Sequence, residues 1–379
     1  MISLRGVCKK FNNGFTAVDN VSLEIESGEL VVLIGSSGCG KTTTMKMINR
    51  LIEPSSGQIL IKGEDILKAD PIDLRRNIGY VIQEIGLFPH MTIAENIAIV
   101  PQLKKWSSDQ IKKRIQVLLE LMGLDPLTTA KKYPHELSGG QRQRIGVARA
   151  LAVDPPIMLM DEPFGALDPI SREQLQDEFL KLQATVKKTI VFVTHDMDEA
   201  IKLADRIVVM HEGRVLQCAS PREILRNPAD EFVRDFVGTD HTLKQLSLIK
   251  VSEAMQNDIT TLYVDEAIDE AKVKFAQGYR SMFAIDRQGI VKGYVNKSDI
   301  HSIQEGLVKQ FIRTPFSTIG PDKSLKEALT LMIQRDAGYI AVVDNRGALL
   351  GVISTNSLHR LVGEPYLEVE REVKGIGIL

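Results

Sequence analysis

Leu30-Val31-Val32-Leu33-Ile34 runs straight into Gly35-Ser36-Ser37-Gly38-Cys39-Gly40-Lys41-Thr42, and this stretch decides the fold of the first part of the chain. A short apolar run bounded by glycine reads as a buried strand, and Thr42–Ile52 beyond it is compatible with a helix. Strand, Gly-x-x-x-x-Gly-Lys-Thr and helix together make the P-loop pattern. Its glycines let backbone N–H groups turn inward around phosphate oxygens, and the helix N-terminus adds partial positive charge. Lys41 is expected to reach the β- and γ-phosphates of a nucleotide and the Thr42 hydroxyl to ligate Mg²⁺, with Thr43 beside them. A glycine-rich turn without a ligand is the alternative, and the flanking elements argue against it. Cys39 occupies a position in the loop that requires a small residue.

Working outward, apolar runs alternate with helical stretches up to about residue 240, the mark of a largely parallel α/β core. Expected core strands are Leu30–Ile34, Ile157–Met160, Thr189–Val193 and Arg206–Met210. From about Ser107 to Ala152 the chain reads mostly as helix, with Ile111, Ile115, Leu118, Leu119 and Met122 at helical spacing. This looks like a helical insertion into the α/β core. Asp161-Glu162 closes the apolar run Ile157–Met160, so a buried strand delivers two carboxylates to its C-terminal end, where α/β sheets bind ligands. Asp161 is the natural Mg²⁺ partner, and Glu162 can serve as general base toward an attacking water.

The composition permits this reading. The chain has 379 residues, 44% hydrophobic and 25% charged, enough for two or three folded domains. Lys+Arg at 47 against Asp+Glu at 49 leaves a net charge of -2, which argues against nucleic acid as the main partner. Cys8, Cys39 and Cys218 are few and far apart, so neither a disulfide framework nor a zinc site is expected. The sequence opens without a secretory signal, and no apolar stretch approaches the ~20 residues that cross a bilayer. A cytosolic protein is expected, with any membrane role exercised through a partner.

A P-loop alone would admit a kinase or a GTPase. Leu137-Ser138-Gly139-Gly140-Gln141 narrows the class: Ser138 can cap a helix running through Arg149, and the exposed N–H groups make a second anion site. With this pentapeptide the sequence resembles the ATP-binding-cassette (ABC) ATPases over about residues 2–240. The resemblance implies that the second site serves the ATP of a partner subunit, so one cassette per chain implies a dimer. It also implies a Q-loop role for Gln83, touching Mg²⁺ and facing a membrane partner, and a γ-phosphate contact for His195. Ala166-Leu167-Asp168 matches the loop that communicates across the dimer, and Gly165 stands where many members have Ser. Phe11 sits where the family stacks an aromatic on adenine, an ordinary core aromatic being the alternative.

Thr42–Ile61, Ile85–Ala98 and Thr194–Ile207 are similar to the ATPase subunits of glycine betaine/carnitine/choline importers. After Asp240 the chain repeats itself: Ile259–Ala271 resembles Phe316–Ala328, and Ala284–Ile300 resembles Val342–Leu358. Each copy reads as an extended stretch, an amphipathic helix, a strand, a turn at Gly289 or Gly347, a second strand and a helix. Asp286-x-x-Gly289-x-x-x-Gly293 and Asp344-x-x-Gly347-x-x-x-Gly351 look like the strand–turn–strand of CBS domains. The resemblance implies a regulatory pair that senses ionic strength, binds a nucleotide such as cyclic di-AMP, or only dimerises. Nucleotide-binding copies often carry Ser/Thr followed three residues later by Asp. Here Asn296 pairs with Asp299 and Ser354 with Ser357, half a motif each. Tyr339 could stack on a base or belong to the core.

The expectation is therefore an α/β P-loop ATPase domain over 1–240 with a helical subdomain at about 90–152. An α+β tandem CBS module follows at 250–304 and 308–363, then a tail at 364–379. The resemblance implies ATP and Mg²⁺ as ligands, and a homodimer on the cytoplasmic face of the membrane. Permease subunits and an extracellular solute-binding protein or domain are the implied partners. Two rivals remain open: an ATPase for another cargo (amino-acid uptake or exclusion of amphiphiles such as bile salts), and a CBS-based sensor with a weak ATPase.

Overall fold

The structure is a computed structural model and describes residues 1–358 apart from 84, 85, 166, 315 and 356. The expected tail at 364–379, the last residues of the second CBS copy and Ala166 of the Ala166-Leu167-Asp168 loop lie outside the described residues. The chain divides into two compact units, Met1–Gly238 and one beginning at Thr239.

The first unit opens with β1 (Ile2–Lys10), β2 (Thr16–Ile25), β3 (Leu30–Gly35), α1 (Lys41–Ile48), β4 (Ser56–Ile61), β5 (Glu64–Asp65), α2 (Pro71–Arg76) and β6 (Ile78–Val81). A helical segment follows: α3 (Ile93–Leu103), α4 (Ser108–Leu121), α5 (Pro126–Thr129) and α6 (Gly139–Ala150). The chain then returns to the core through β7 (Ile157–Asp161), α7 (Pro169–Val186), β8 (Thr189–Val193), α8 (Met197–Leu203), β9 (Arg206–His211) and β10 (Arg214–Ala219).

Among the described residues the central sheet has the order β10-β9-β3-β8-β7-β6, and every neighbouring pair is parallel except β9–β10 at one edge. β3, β7 and β8 are buried at every residue, which explains why their sequences are continuous apolar runs rather than alternating ones. The four core strands expected from sequence are all present, each within a residue of the expected end. The helical insertion is present too. α4 turns Leu118 and Leu119 inward, and Ser107 and Thr92 close capping boxes at the starts of α4 and α3.

Two features differ from the sequence reading. A second, antiparallel sheet, β2-β1-β4-β5, lies outside the parallel core. β2 alternates buried and exposed residues over Val21–Ile25, and β1 interleaves polar with apolar residues, so neither carries a long apolar run to announce it. The helix expected over Thr42–Ile52 ends at Ile48, because Arg50 adopts φ +49° and sends its guanidinium to the carbonyls of Ile66 and Ala69 at 3.2 and 2.7 Å.

The second unit contains the repeat. Strands β11 (Leu262–Tyr263), β12 (Ser281–Ile285) and β13 (Val291–Asn296) form one sheet. β14 (Thr318–Ile319), β15 (Tyr339–Val343) and β16 (Leu349–Ser354) form another with the same pairing pattern. Helices Ile268–Phe275 and Leu325–Arg335 occupy equivalent places. Asp286 and Asp344 each accept two turn N–H groups, from Gln288 and Ile290 and from Arg346 and Ala348. The turns pair reciprocally: Val291 N–H donates to Gly347 O at 3.1 Å and Leu349 N–H to Gly289 O at 3.0 Å. Phe283, Val291 and Ala341 form an apolar cluster shared by both copies.

Among the described residues no helix is long and apolar enough to cross a membrane. The core of the first unit holds Phe192 fully buried against Phe164 and Phe179, with ring centroids 5.9 and 6.3 Å away. Phe192→Ala is expected to destabilise this unit by about 3–5 kcal/mol; chemical denaturation of the purified protein measures it, and a shift under about 1 kcal/mol would mean the cavity collapses.

Candidate active site

β3, β8, β7 and β6 are consecutive neighbours and run parallel, so their carboxyl ends emerge along one edge of the sheet. The P-loop leaves β3, His195 follows β8, Asp161-Glu162 ends β7, and Gln83 follows β6. Neighbouring strands lie about 5 Å apart, which brings four segments distant in sequence into one site.

Within the P-loop, Ser36, Ser37 and Gly38 are exposed while Cys39, Gly40 and Lys41 are buried. Gly40 stands at φ +102° just before α1, and a Cβ there would lie 2.3 Å from the Ala17 carbonyl oxygen. Glycine is therefore required both by conformation and by the close approach of β2. Cys39 is 3% exposed, and its carbonyl accepts the Gly213 N–H at 3.1 Å, so the loop is buttressed from the β9–β10 turn. Lys41 Nζ donates to the Gly35 and Ser36 carbonyls at 2.7 and 2.9 Å. Its ammonium thus sits within the loop, bonded to two of the loop's own carbonyls. Thr43 is half-buried in the first turn of α1.

The Thr42 hydroxyl donates to Asp161 Oδ1 at 3.0 Å. Burial pushes the Asp161 carboxyl above its ordinary range, while the Thr42 bond and the charge of Lys46 oppose the shift. Glu162 adopts φ +43°, a conformation that costs a non-glycine residue of order 1–3 kcal/mol. Its N–H is anchored to Val193 O at 2.9 Å, and the Phe164–Phe179–Phe192 cluster pins the loop two residues on. The Glu162 carboxylate accepts from Gln83 Nε2 at 3.2 Å and lies 3.3 Å from His195 Nδ1, all at Oε2. The Thr42 hydroxyl, the Asp161 carboxylate and the Gln83 amide oxygen are hard oxygen donors of the kind that suit Mg²⁺. Glu162 and the exposed His195 stand beside it, facing the phosphate loop's edge of the sheet.

Phe11 is 37% exposed with Lys9 Nζ 5.4 Å from its ring centroid, so it presents a ring face rather than filling the core. Ser138 caps α6. Its Oγ accepts the Gln141 N–H at 3.3 Å, and the Gln141 side-chain oxygen accepts the Ser138 N–H at 3.1 Å. Gly139 and Gly140 follow in the first turn, close to Leu167 and Leu175. Asp168 caps α7 through Ser171 N–H at 3.0 Å, and the bonds from Ser171 hold its carboxyl below the usual range. Among the described residues, no hydrogen bond joins Ser138–Gln141, Asp168 or Phe11 to the P-loop. Gly165 leaves room for the serine common in the family, since an added Cβ would meet nothing closer than 3.5 Å.

Sequence reasoning treated Arg149 only as the far end of α6 and did not single out Lys46. Arg149 donates to Gly86 O at 2.6 Å, just past Gln83. No motif signals that contact, because it depends on how the helical segment packs on β6.

In the second unit, a cleft of about 730 Å³ is lined by Phe283, Tyr294, Asn296, Phe316, Arg335 and Tyr339, among others. Tyr339 stands at the start of β15 with its ring edge-on to Phe283 at 5.5 Å. Asp299 is held by Arg313 through two bonds of 2.6 and 2.7 Å, and the buried Ser354 and Ser357 hydroxyls bond each other at 3.1 Å.

The family described as "ABC transporter" matches residues 18–165, and "CBS domain" matches residues 251–306 and 308–364. The chain is 47% identical to the choline transport ATP-binding protein OpuBA of Bacillus subtilis over 381 residues, covering 99% of this chain and 100% of that protein. It is 49% identical over 366 residues to the glycine betaine/carnitine/choline transport ATP-binding protein OpuCA of the same organism, covering 96% of each. With the osmoprotectant import ATP-binding protein OsmV of Salmonella typhimurium it shares 46% over 361 residues, 93% of this chain and 94% of that one. Among solved structures, a dimeric bacterial ABC transporter cassette aligns with TM-score 0.53 and 36% identity, over 58% of this chain and 99% of that one. Near full-length likeness to these ATP-binding transport proteins, together with the CBS match in the second half of this chain, shows the family: the chain belongs to the ATP-binding proteins of ABC transporters and carries tandem CBS domains.

Proposed function

We propose that this chain hydrolyses ATP as a homodimer at the cytoplasmic face of the membrane to drive an importer of quaternary-ammonium osmoprotectants such as glycine betaine, carnitine and choline. The observation that carries the hydrolytic reading is the Glu162 carboxylate, which meets Gln83 at 3.2 Å and His195 at 3.3 Å beside the Thr42–Asp161 pair. The cargo reading rests on near full-length likeness to the choline and glycine betaine/carnitine/choline transport proteins. Permease subunits and an extracellular solute-binding protein or domain complete the proposed importer.

In this reading the N–H groups of Gly35–Thr43 and the Lys41 ammonium bind the triphosphate, and Phe11 stacks on the adenine. Thr42, Asp161 and Gln83 would hold Mg²⁺, which would supply positive charge to the phosphate groups. Glu162 accepts the proton of the attacking water, and His195 steadies the γ-phosphate oxygens. The N-terminus of α6, with Ser138, Gly139, Gly140 and Gln141, serves the nucleotide of the opposite subunit, and Asp168 faces the dimer junction. Its aligned N–H groups and helix dipole favour that anion. Gln83 and the segment after it face the permease and report the state of the nucleotide.

The second unit regulates this cycle. Its cleft offers the rings of Tyr294, Phe316 and Tyr339 for stacking and Arg335 for a phosphate, which suits an adenine nucleotide such as cyclic di-AMP. Asp299 is committed to Arg313, so ribose recognition in this cleft falls to other groups, Asn296 among them.

Glu162→Gln is expected to lower kcat by about 10²–10⁴-fold while an ATP-bound dimer accumulates. Phosphate release and size-exclusion chromatography measure both, and wild-type turnover would remove Glu162 as the base. In the complex reconstituted with its permease, glycine betaine, choline or carnitine should stimulate hydrolysis, and amino acids or bile salts should not; the reverse result would reassign the cargo. Titration calorimetry of the full chain with cyclic di-AMP should show binding that Tyr339→Ala weakens by about tenfold, as expected for loss of one stacking partner. Equal affinity in both proteins would put the ligand elsewhere.

A further inference from the structure

Outside the phosphate site, the first unit holds a cavity of about 400 Å³ between α6 and α7, closed on one side by the end of α4. Val147, Phe164, Leu175 and Phe179 give it walls of hydrocarbon and aromatic ring. Leu121 and Thr185 also line it and are exposed, so the cavity opens to solvent.

One polar side chain interrupts the apolar wall. Gln143 is 4% exposed and lines the cavity, and its Nε2 has no hydrogen-bond partner among the described residues. A buried amide without an acceptor carries its desolvation penalty unrelieved. A molecule that brings an acceptor therefore gains more there than from an ordinary exchange of hydrogen bonds with water. The rings and aliphatic side chains that share the cavity offer a water few of the polar partners that hold one in place.

The charges beside the cavity are already matched. Arg144 Nη2 donates to Glu178 Oε1 at 3.0 Å and Arg144 Nε lies 2.9 Å from Glu178 Oε2, an ion pair that clasps α6 to α7. Lys181 is exposed, where its ammonium keeps its hydration. An ionised ligand would shed its water and find no free counter-charge within, so a neutral one suits the site.

We propose that this cavity is a binding site for a small, neutral, mainly apolar molecule that seats one hydrogen-bond acceptor, such as a ketone oxygen, on Gln143 Nε2. A concave site of this size, with hydrocarbon walls and one placed polar group, has the form that small-molecule pockets take. Its position has a consequence for hydrolysis. α6 begins at the Ser138 cap and α7 at the Asp168 cap. A molecule wedged between the two helices alters their spacing without entering the phosphate loop, so it acts on kcat rather than on ATP binding. That consequence rests on the assignment of Ser138 and Asp168 above; binding itself does not.

The test uses the full-length chain and titration calorimetry with three soluble probes of similar size. Benzylacetone carries a neutral ketone, hydrocinnamate a carboxylate, and phenylbutylamine an ammonium with no acceptor. Benzylacetone should bind with Kd below about 1 mM, and the two charged probes at least about tenfold more weakly. Gln143→Leu should weaken benzylacetone about tenfold. The same variant should melt at or above the wild-type temperature, since it removes an unpaired polar group from the interior. A fall of several degrees would mean that Gln143 is bonded within the protein, and would overturn the proposal. Leu182→Trp, which fills the cavity from α7, should abolish binding while the chain still melts cooperatively. Equal affinity for all three probes, or undiminished ketone binding in either variant, would also overturn it. Steady-state assays read the consequence: saturating benzylacetone should lower wild-type kcat at least about twofold, keep KM for ATP within about twofold, and leave Leu182→Trp unaffected. Ketone binding with unchanged turnover would overturn the wedge alone. Unchanged kcat in Ser138→Ala would bring down the assignment of α6 to hydrolysis, and the calorimetric result would stand.

Discussion

β3, β8, β7 and β6 lie side by side and run the same way, and the rest of the first unit depends on that arrangement. Parallel neighbours release every following loop at the same edge, so phosphate loop, histidine, carboxylate pair and glutamine meet without any of them being close in sequence. Such a sheet must be covered on both faces, which makes its strands uniformly apolar and fully buried. The polar groups are thereby confined to the strand ends. Asp161 is the last residue of β7, and Glu162 is the first one free to turn outward.

That turn is strained. Glu162 holds φ +43° because its N–H is bound to Val193 and because Phe164, just beyond it, is sunk among Phe179 and Phe192. Apolar packing two residues along the chain thus helps to aim this carboxylate. The same division of labour appears in the phosphate loop, where β2 and the β9–β10 turn hold Gly40 and Cys39 while Lys41 bonds two of the loop's own carbonyls. Asp161 sits where burial disfavours its charge, which is the condition under which a bound cation has most effect on it.

The second unit reaches its form by repetition. Neither three-stranded sheet is large enough to bury its own inner face, and the two copies solve this by pairing the turns at Gly289 and Gly347 and sharing Phe283, Val291 and Ala341. The departures from the nucleotide-binding pattern acquire a physical meaning here. Asp299 neutralises Arg313 in the connection between the copies, and Ser354 and Ser357 satisfy each other inside the core. These side chains hold the module together, and the open cleft is lined by Phe283, Tyr294, Phe316 and Tyr339 among polar and small residues.

The sequence by itself determined the parallel core, the helical insertion and the repeat, and it placed Lys41, Thr42, Asp161 and Glu162 at or just beyond the ends of two core strands. Each of these is carried by a local pattern: a continuous apolar run, a helical spacing, or a glycine-spaced loop between a strand and a helix. Gln83 and His195 became legible only through family resemblance, because a lone glutamine or histidine after a strand carries no pattern of its own. The antiparallel sheet was missed for a related reason, since its alternating strands are short of apolar runs. Only the tertiary structure decided that Phe11 is exposed, that Gln83 and His195 converge on one oxygen of Glu162, and that Arg149 grips Gly86. Those facts depend on strand order and on how α6 lies against β6, and contacts between residues far apart in the chain leave no mark on either local sequence.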